Sequence, residues 1–123
     1  MKHLLFIYNP TSGTGKIAGQ LSTILDTFTK AGWLTTVYPT QGKGDASRAV
    51  QELGGQFERV VCAGGDGTLS EVSGGLLGLE APPPLGYIPF GSTNDCAATL
   101  HLPKGTKRAT LAAAGAGKPT PMD

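Results

Sequence analysis

The stretch Val60-Val61-Cys62-Ala63-Gly64-Gly65-Asp66-Gly67-Thr68-Leu69 constrains the fold of this chain more than any other. A β-branched apolar run enters a glycine-rich corner that holds one carboxylate and one hydroxyl, and a helical pattern, Leu69 to Leu79, leaves it. Glycine permits positive φ and close backbone approach because it has no Cβ. A helix that starts at such a corner aims unpaired N–H groups and a partial positive charge at it, the generic arrangement for holding a phosphate. Asp66 reads two ways. A carboxylate repels a bare phosphate, so it suits a metal ion or a hydroxyl whose proton it accepts; alternatively it caps the helix in a tight turn.

A chain of 123 residues suits one domain. Its 19 glycines and 9 prolines fit many short turns between recurring apolar runs. The net charge of +1, with no basic cluster, argues against a nucleic acid partner and against a polybasic membrane contact. Cys62 and Cys96 lack CxxC spacing, which suits reduced thiols and a cytoplasmic setting. No apolar run reaches the length of a membrane span.

Leu4 to Tyr8 is a continuous apolar run ended by Asn9-Pro10, the mark of a buried parallel strand. A polar loop through Lys16 follows, then Ile17, Leu21, Ile24, Leu25 and Phe28 at helical spacing, closed by Gly32. Trp33 to Tyr38 predicts a second strand and Ala46 to Leu53 a short helix with Asp45 near its start. Phe57 to Ala63 is the third predicted strand. In the helix after Thr68, Leu69, Val72, Leu76 and Leu79 share a face, and Gly74-Gly75 predicts a close packing contact. Leu85 to Ile88 predicts a fourth strand, followed by a short helical stretch to about Leu100 and a helix from Thr106 to Ala114. This alternation predicts an α/β fold: an open, mainly parallel sheet with helices on both faces. Four polar loops, Asn9 to Gly15, Thr40, Gly64 to Thr68 and Gly91 to Asp95, then converge on the carboxyl edge, where such sheets bind ligands.

Two phosphate motifs fail on the first loop. A Walker A loop needs glycine where Pro10 stands and Ser or Thr where Ile17 stands. Gly13-x-Gly15-x-x-Ala18 fits a loose dinucleotide fingerprint, but the second strand ends Val37-Tyr38-Pro39-Thr40, with no acid for a ribose. Read singly, Asn94-Asp95 suits a helix cap, and Lys16, Lys43 and Arg48 suit solvated helix positions, Lys16 having the option of reaching a phosphate.

Asn9-Pro10 with Ser12-Gly13, Gly64-Gly65-Asp66-Gly67-Thr68 with Glu71-Val72, and Pro89-x-Gly91-Ser92-Thr93-Asn94-Asp95 with Ala97 occur in that order. On these residues the whole chain resembles the diacylglycerol kinase catalytic domain family, in particular its soluble bacterial lipid kinase branch. The glycine corner alone is shared with NAD kinases and is similar to one in phosphofructokinases; the Gly-x-x-Asn-Asp loop after a proline favours lipid kinases. The resemblance implies ATP and Mg2+ as cofactors. It implies nucleotide contacts from Asn9, Thr40, Gly64, Gly65, Asp66, Gly67, Thr68, Leu69, Ser70, Glu71, Ser92 and Asn94, with Asp66 and Asp95 organising magnesium through water. Position 92 departs from the usual threonine but keeps a hydroxyl, and Cys96 replaces a bulky apolar residue.

Family members are about twice this length or more, and a β-rich second lobe supplies their general base. The resemblance therefore implies a nucleotide-binding lobe over residues 1–114 and a linker over 115–123. Alone, this lobe is expected to bind nucleotide weakly and to leave lipid unphosphorylated. The lipid acceptor would come from the membrane surface, in a cytoplasmic protein peripheral to the inner membrane. An edge left by the second lobe could favour homo-oligomers. An NAD kinase, a non-catalytic nucleotide-binding module and a structural α/β domain stay open as alternatives.

Overall fold

The computed structural model describes residues 2–11, 15–90, 110, 113 and 114. Its elements run β1 (Lys2–Tyr8), α1 (Lys16–Lys30), β2 (Trp33–Pro39), α2 (Asp45–Leu53), a single 3-10 turn (Gly54–Gln56), β3 (Arg59–Gly64), α3 (Asp66–Leu77) and β4 (Leu85–Pro89). All pairings are parallel, in the order β2-β1-β3-β4. The predicted α/β class holds.

Leu4, Leu5, Phe6 and Ile7 are all fully buried, because β1 is central and covered on both faces. Alternation splits them between two cores. Leu4 and Phe6 join Val61, Ala63 and Ile88 beneath Ile17, Ile24 and Phe28 of α1. Leu5 and Ile7 join Val60 and Cys62 beneath Ala46, Ala49 and Val50 of α2 and Val72 and Leu76 of α3. Each buried Val, Leu, Ile or Phe among them stabilises the fold by about 1.5–3 kcal/mol.

The second core contains the contact predicted at Gly74-Gly75, and it falls on one glycine alone. A Cβ on buried Gly75 would stand 2.8 Å from the Ser47 carbonyl oxygen and 3.1 Å from Val50 Cβ, whereas one on Gly74 would meet nothing within 4 Å.

At the opposite end of the sheet from the predicted ligand edge, Ala113 packs directly on Gly86. There Arg59 Nη1 donates to the Ala113 carbonyl (2.9 Å) and Trp33 Nε1 to that of Ala114 (3.3 Å). Thr110 and Ala113 are helical, in keeping with the predicted helix; the rest of that helix, the stretch to Leu100 and the proposed linker lie outside the described residues. No helix among the described residues is long and apolar enough to cross a membrane.

Several predicted boundaries shift by one to three residues, two of them for a visible reason. The third strand begins at Arg59, because the 3-10 turn occupies the residues just before Phe57. The helix expected from Leu69 begins at Asp66: Gly-Asp-Gly is a poor helix former, yet the Leu69 N–H already donates to the Gly65 carbonyl (3.2 Å).

Candidate functional site

Strand register brings the loops together. Tyr8 pairs with Pro39 and with Ala63, and Gly64 with Pro89, so all four strands end on one edge. The Asn9 N–H donates to the Ala63 carbonyl (3.2 Å) and the Thr40 N–H to that of Tyr8 (2.8 Å). Between β1 and β3 the order of the chain reverses, and the connections leave to opposite faces. That is where a doubly wound sheet opens a crevice.

A cleft of about 480 Å3 lies there. Asn9, Pro10 and Thr11 form one wall, Thr40 to Lys43 with Ala46 a second, and Gly67, Thr68 and Glu71 a third. The Asn9 side-chain oxygen accepts from the Thr11 N–H (3.0 Å) and hydroxyl (2.9 Å), which folds the first wall into a tight polar turn.

The predicted residues divide. Asn9, Thr40, Gly67, Thr68 and Glu71 line this cleft; Gly64, Gly65, Asp66, Leu69 and Ser70 do not. The Gly64 carbonyl accepts from the Phe90 N–H (2.8 Å) and the Tyr87 hydroxyl (3.0 Å). Leu69 packs against the second core, and Ser70 faces solvent. Asp66 is exposed in the first turn of α3, near enough to Tyr87 that its charge, after burial of the ring, helps to raise the phenol pKa. Asp66 is not a helix cap: Gly65 holds that position, and no side chain closes it. Ser92, Asn94 and Asp95 lie outside the described residues, as do Ser12 to Thr14 of the first loop.

The start of α3 therefore presents open amides beside a hydroxyl. Thr68 is only 7% exposed, lines the cleft, and its hydroxyl has no partner among the described residues. Gly67 lies beside it in the first helical turn, and a Cβ there would meet nothing within 4 Å. Neither a positive φ nor a neighbouring atom among the described residues demands glycine at that point.

Lys43 reads in the sequence as a solvated helix position, with no sign of a ligand role. It lies in the loop before α2 and is the one basic residue among those lining the cleft. Lys16 stands exposed at the start of α1, away from the cleft lining. Arg48 is an exposed helix residue that donates to Asp45, Glu52 and Tyr38.

Behind the second wall the Asp45 carboxylate accepts from the Tyr38 hydroxyl (2.7 Å) and the Gln41 N–H (2.8 Å). The Tyr38 bond is the largest cause holding the Asp45 carboxyl below its usual pKa, with the Gln41 amide and Arg48 adding to it. The same bond is the largest cause raising the Tyr38 phenol. Cys62 lies beneath the corner, and burial pushes its thiol up to about 12.

Fold and rim define a doubly wound parallel α/β lobe with its cleft at the reversal of strand order. Residues 3–123 match the diacylglycerol kinase catalytic domain model. A diacylglycerol kinase of Bacillus subtilis (strain 168) is 43% identical over 105 residues, covering 85% of this chain and 35% of that protein. One from Staphylococcus carnosus (strain TM300) is 43% identical over 106 residues, covering 83% and 34%. The crystal structure of a diacylglycerol kinase from Bacillus anthracis str. Sterne superposes with a TM-score of 0.73 at 32% identity, covering 91% of this chain and 42% of that one. The chain belongs to the diacylglycerol kinase catalytic domain family. It spans about a third of the length of the curated relatives it matches.

Proposed function

We propose that the cleft binds ATP and that this chain is the nucleotide-binding lobe of a lipid kinase acting on a diacylglycerol-like alcohol. The observation that carries the reading is the open start of α3, where Gly67 and Thr68 line the cleft and the Thr68 hydroxyl has no partner among the described residues. Backbone N–H groups at a helix start hold phosphate oxygens without a side chain of their own. Lys43 supplies a positive charge to the cleft, and Asn9 and Thr40 orient the nucleotide by polar contacts. Gly64, Gly65, Asp66, Leu69 and Ser70, with Ser92 and Asn94, complete the proposed nucleotide-binding set, to which Glu71 belongs through the loop that it holds.

Among the described residues no three His, Cys, Asp or Glu side chains are grouped to cage a metal. A magnesium ion that arrives with the nucleotide needs only one or two carboxylates beside the substrate phosphates. Asp66 and Asp95 are the carboxylates proposed to orient it through water. When bound, the ion supplies neutralisation of phosphate charge.

Phosphoryl transfer then depends on positioning and charge more than on covalent help. The lipid oxygen bonds to the γ-phosphorus, the bond to the β-phosphate oxygen breaks, and the hydroxyl proton passes to a base. We place that base and the lipid contacts in the remainder of the longer proteins, with the lobe ending at 114 and a linker from 115. On this reading the protein works in the cytoplasm and meets its lipid at the membrane surface.

Thermal melting of the purified 123-residue chain with Mg·ATP, paired with a radiolabelled transfer assay on diacylglycerol vesicles, tests both halves. The expected result is a raised melting temperature, since a ligand that binds only the folded state stabilises it, and no labelled lipid. An unmoved melting temperature contradicts nucleotide binding, and labelled lipid contradicts the assignment of the acceptor side to another lobe.

A further inference from the structure

The wall that carries Thr40 and Lys43 is held at three points. Its start is tied to β1 by the Thr40 N–H, and its middle to Asp45 by the Gln41 N–H. Its end is tied across the cleft to α3, where Glu71 Oε2 accepts from the Gly44 N–H (2.9 Å) and Oε1 from the Ala46 N–H (3.3 Å).

The third tie is unusual in origin. A helix start is commonly closed by a Ser, Thr, Asn or Asp side chain at the cap position itself. The cap of α2 is Gly44, at φ 85°, which has no side chain to offer. Asp45, the nearest carboxylate, is committed to Tyr38, Gln41 and Arg48. The closing carboxylate comes instead from 27 residues downstream, and its charge sits at the positive end of α2. One turn further along α3, Gly75 packs on Ser47, so the seam beneath Glu71 is tight.

We infer that Glu71 is a positioning residue: it straps the Gly42–Gly44 end of the loop to α3 and so sets Lys43 opposite Gly67 and Thr68. Its effect on ligand affinity rests on the nucleotide reading above; the strap itself does not. Glu71 acts through the loop, and losing the strap and losing Lys43 remove the same contribution.

The test uses amide hydrogen exchange by NMR on the nucleotide-free 123-residue chain, with Glu71→Ala and Glu71→Gln. The first removes both acceptors; the second keeps the length and one acceptor, and covers the case in which the alanine variant fails to fold. The expected result is faster exchange at Gly44 and Ala46, larger for alanine, while Thr40, held by β1, stays protected. Calorimetric titration with Mg·ADP should then show reduced affinity in Glu71→Gln, by up to about tenfold, the scale of losing a helix cap outright. Adding Glu71→Gln to Lys43→Ala should cost little more. Unchanged exchange at both amides overturns the strap, and full additivity with Lys43→Ala overturns action through the loop. No ADP binding by the unsubstituted chain would strike the nucleotide reading and the affinity effect together, while exchange would still decide the strap.

Discussion

The carbonyl oxygen of Ser47 in α2 lies 2.8 Å from the point where a Cβ on Gly75 of α3 would stand. Two helices meet there with no room for a methyl group. Gly75→Ala should therefore destabilise the chain by about 1–3 kcal/mol through overpacking. Gly74→Ala, on the open side, should raise stability by up to about 1 kcal/mol through helix propensity. Urea unfolding of the pair checks both signs.

Gly67 tests function against stability. In the first turn of α3, alanine meets no protein atom and forms helix more readily, so Gly67→Ala should melt at the same or a higher temperature. The same methyl group would fill the space facing the cleft and weaken nucleotide binding. Melting curves and Mg·ADP titration of one variant, moving in opposite senses, are the expected outcome.

Cys62 should be inert. With its thiol pushed up to about 12 by burial, almost no thiolate exists at neutral pH, and the thiolate is the reactive form. Iodoacetamide should leave the Cys62 peptide unmodified in the folded chain and alkylate it in urea, as read by mass spectrometry of the digest.

Asp45 gives the wall an acid dependence. Its folded pKa is depressed, so its stabilising effect is present above the unfolded-state value of about 3.9 and is lost as pH falls through the lowered folded value. Asp45→Asn should lower the melting temperature at neutral pH and flatten its fall on acidification below that range. A melting series from neutral to acid pH on both chains checks the slope.

The sheet was legible because its strands are buried on both faces: Leu4 to Ile7 and Val60 to Ala63 read as unbroken apolar runs, which a half-exposed strand would not give. Common register then made the convergence of Asn9, Thr40 and the glycine corner predictable from strand ends alone. The family was legible for a different reason, since spaced Gly, Asp and Asn loops carry it independently of packing. What the sequence hid depended on partners far along the chain. Glu71 closes a helix whose cap residue lies 27 positions earlier, a relation no local pattern encodes. A lone lysine such as Lys43 carries no pattern of its own, and only its place among the residues lining the cleft marks it. Asp66 suited a cap by composition, but the helix starts one residue too early for it.

The most direct test is an amide chemical-shift titration of the 123-residue chain with Mg·ATP. Nucleotide binding in the cleft produces the largest shifts at Gly65 to Thr68, with Asn9 and Thr40 to Lys43 moving in step along one binding curve. Shifts confined to the opposite end of the sheet, around Trp33, Arg59 and Ala114, or none at all, would contradict it.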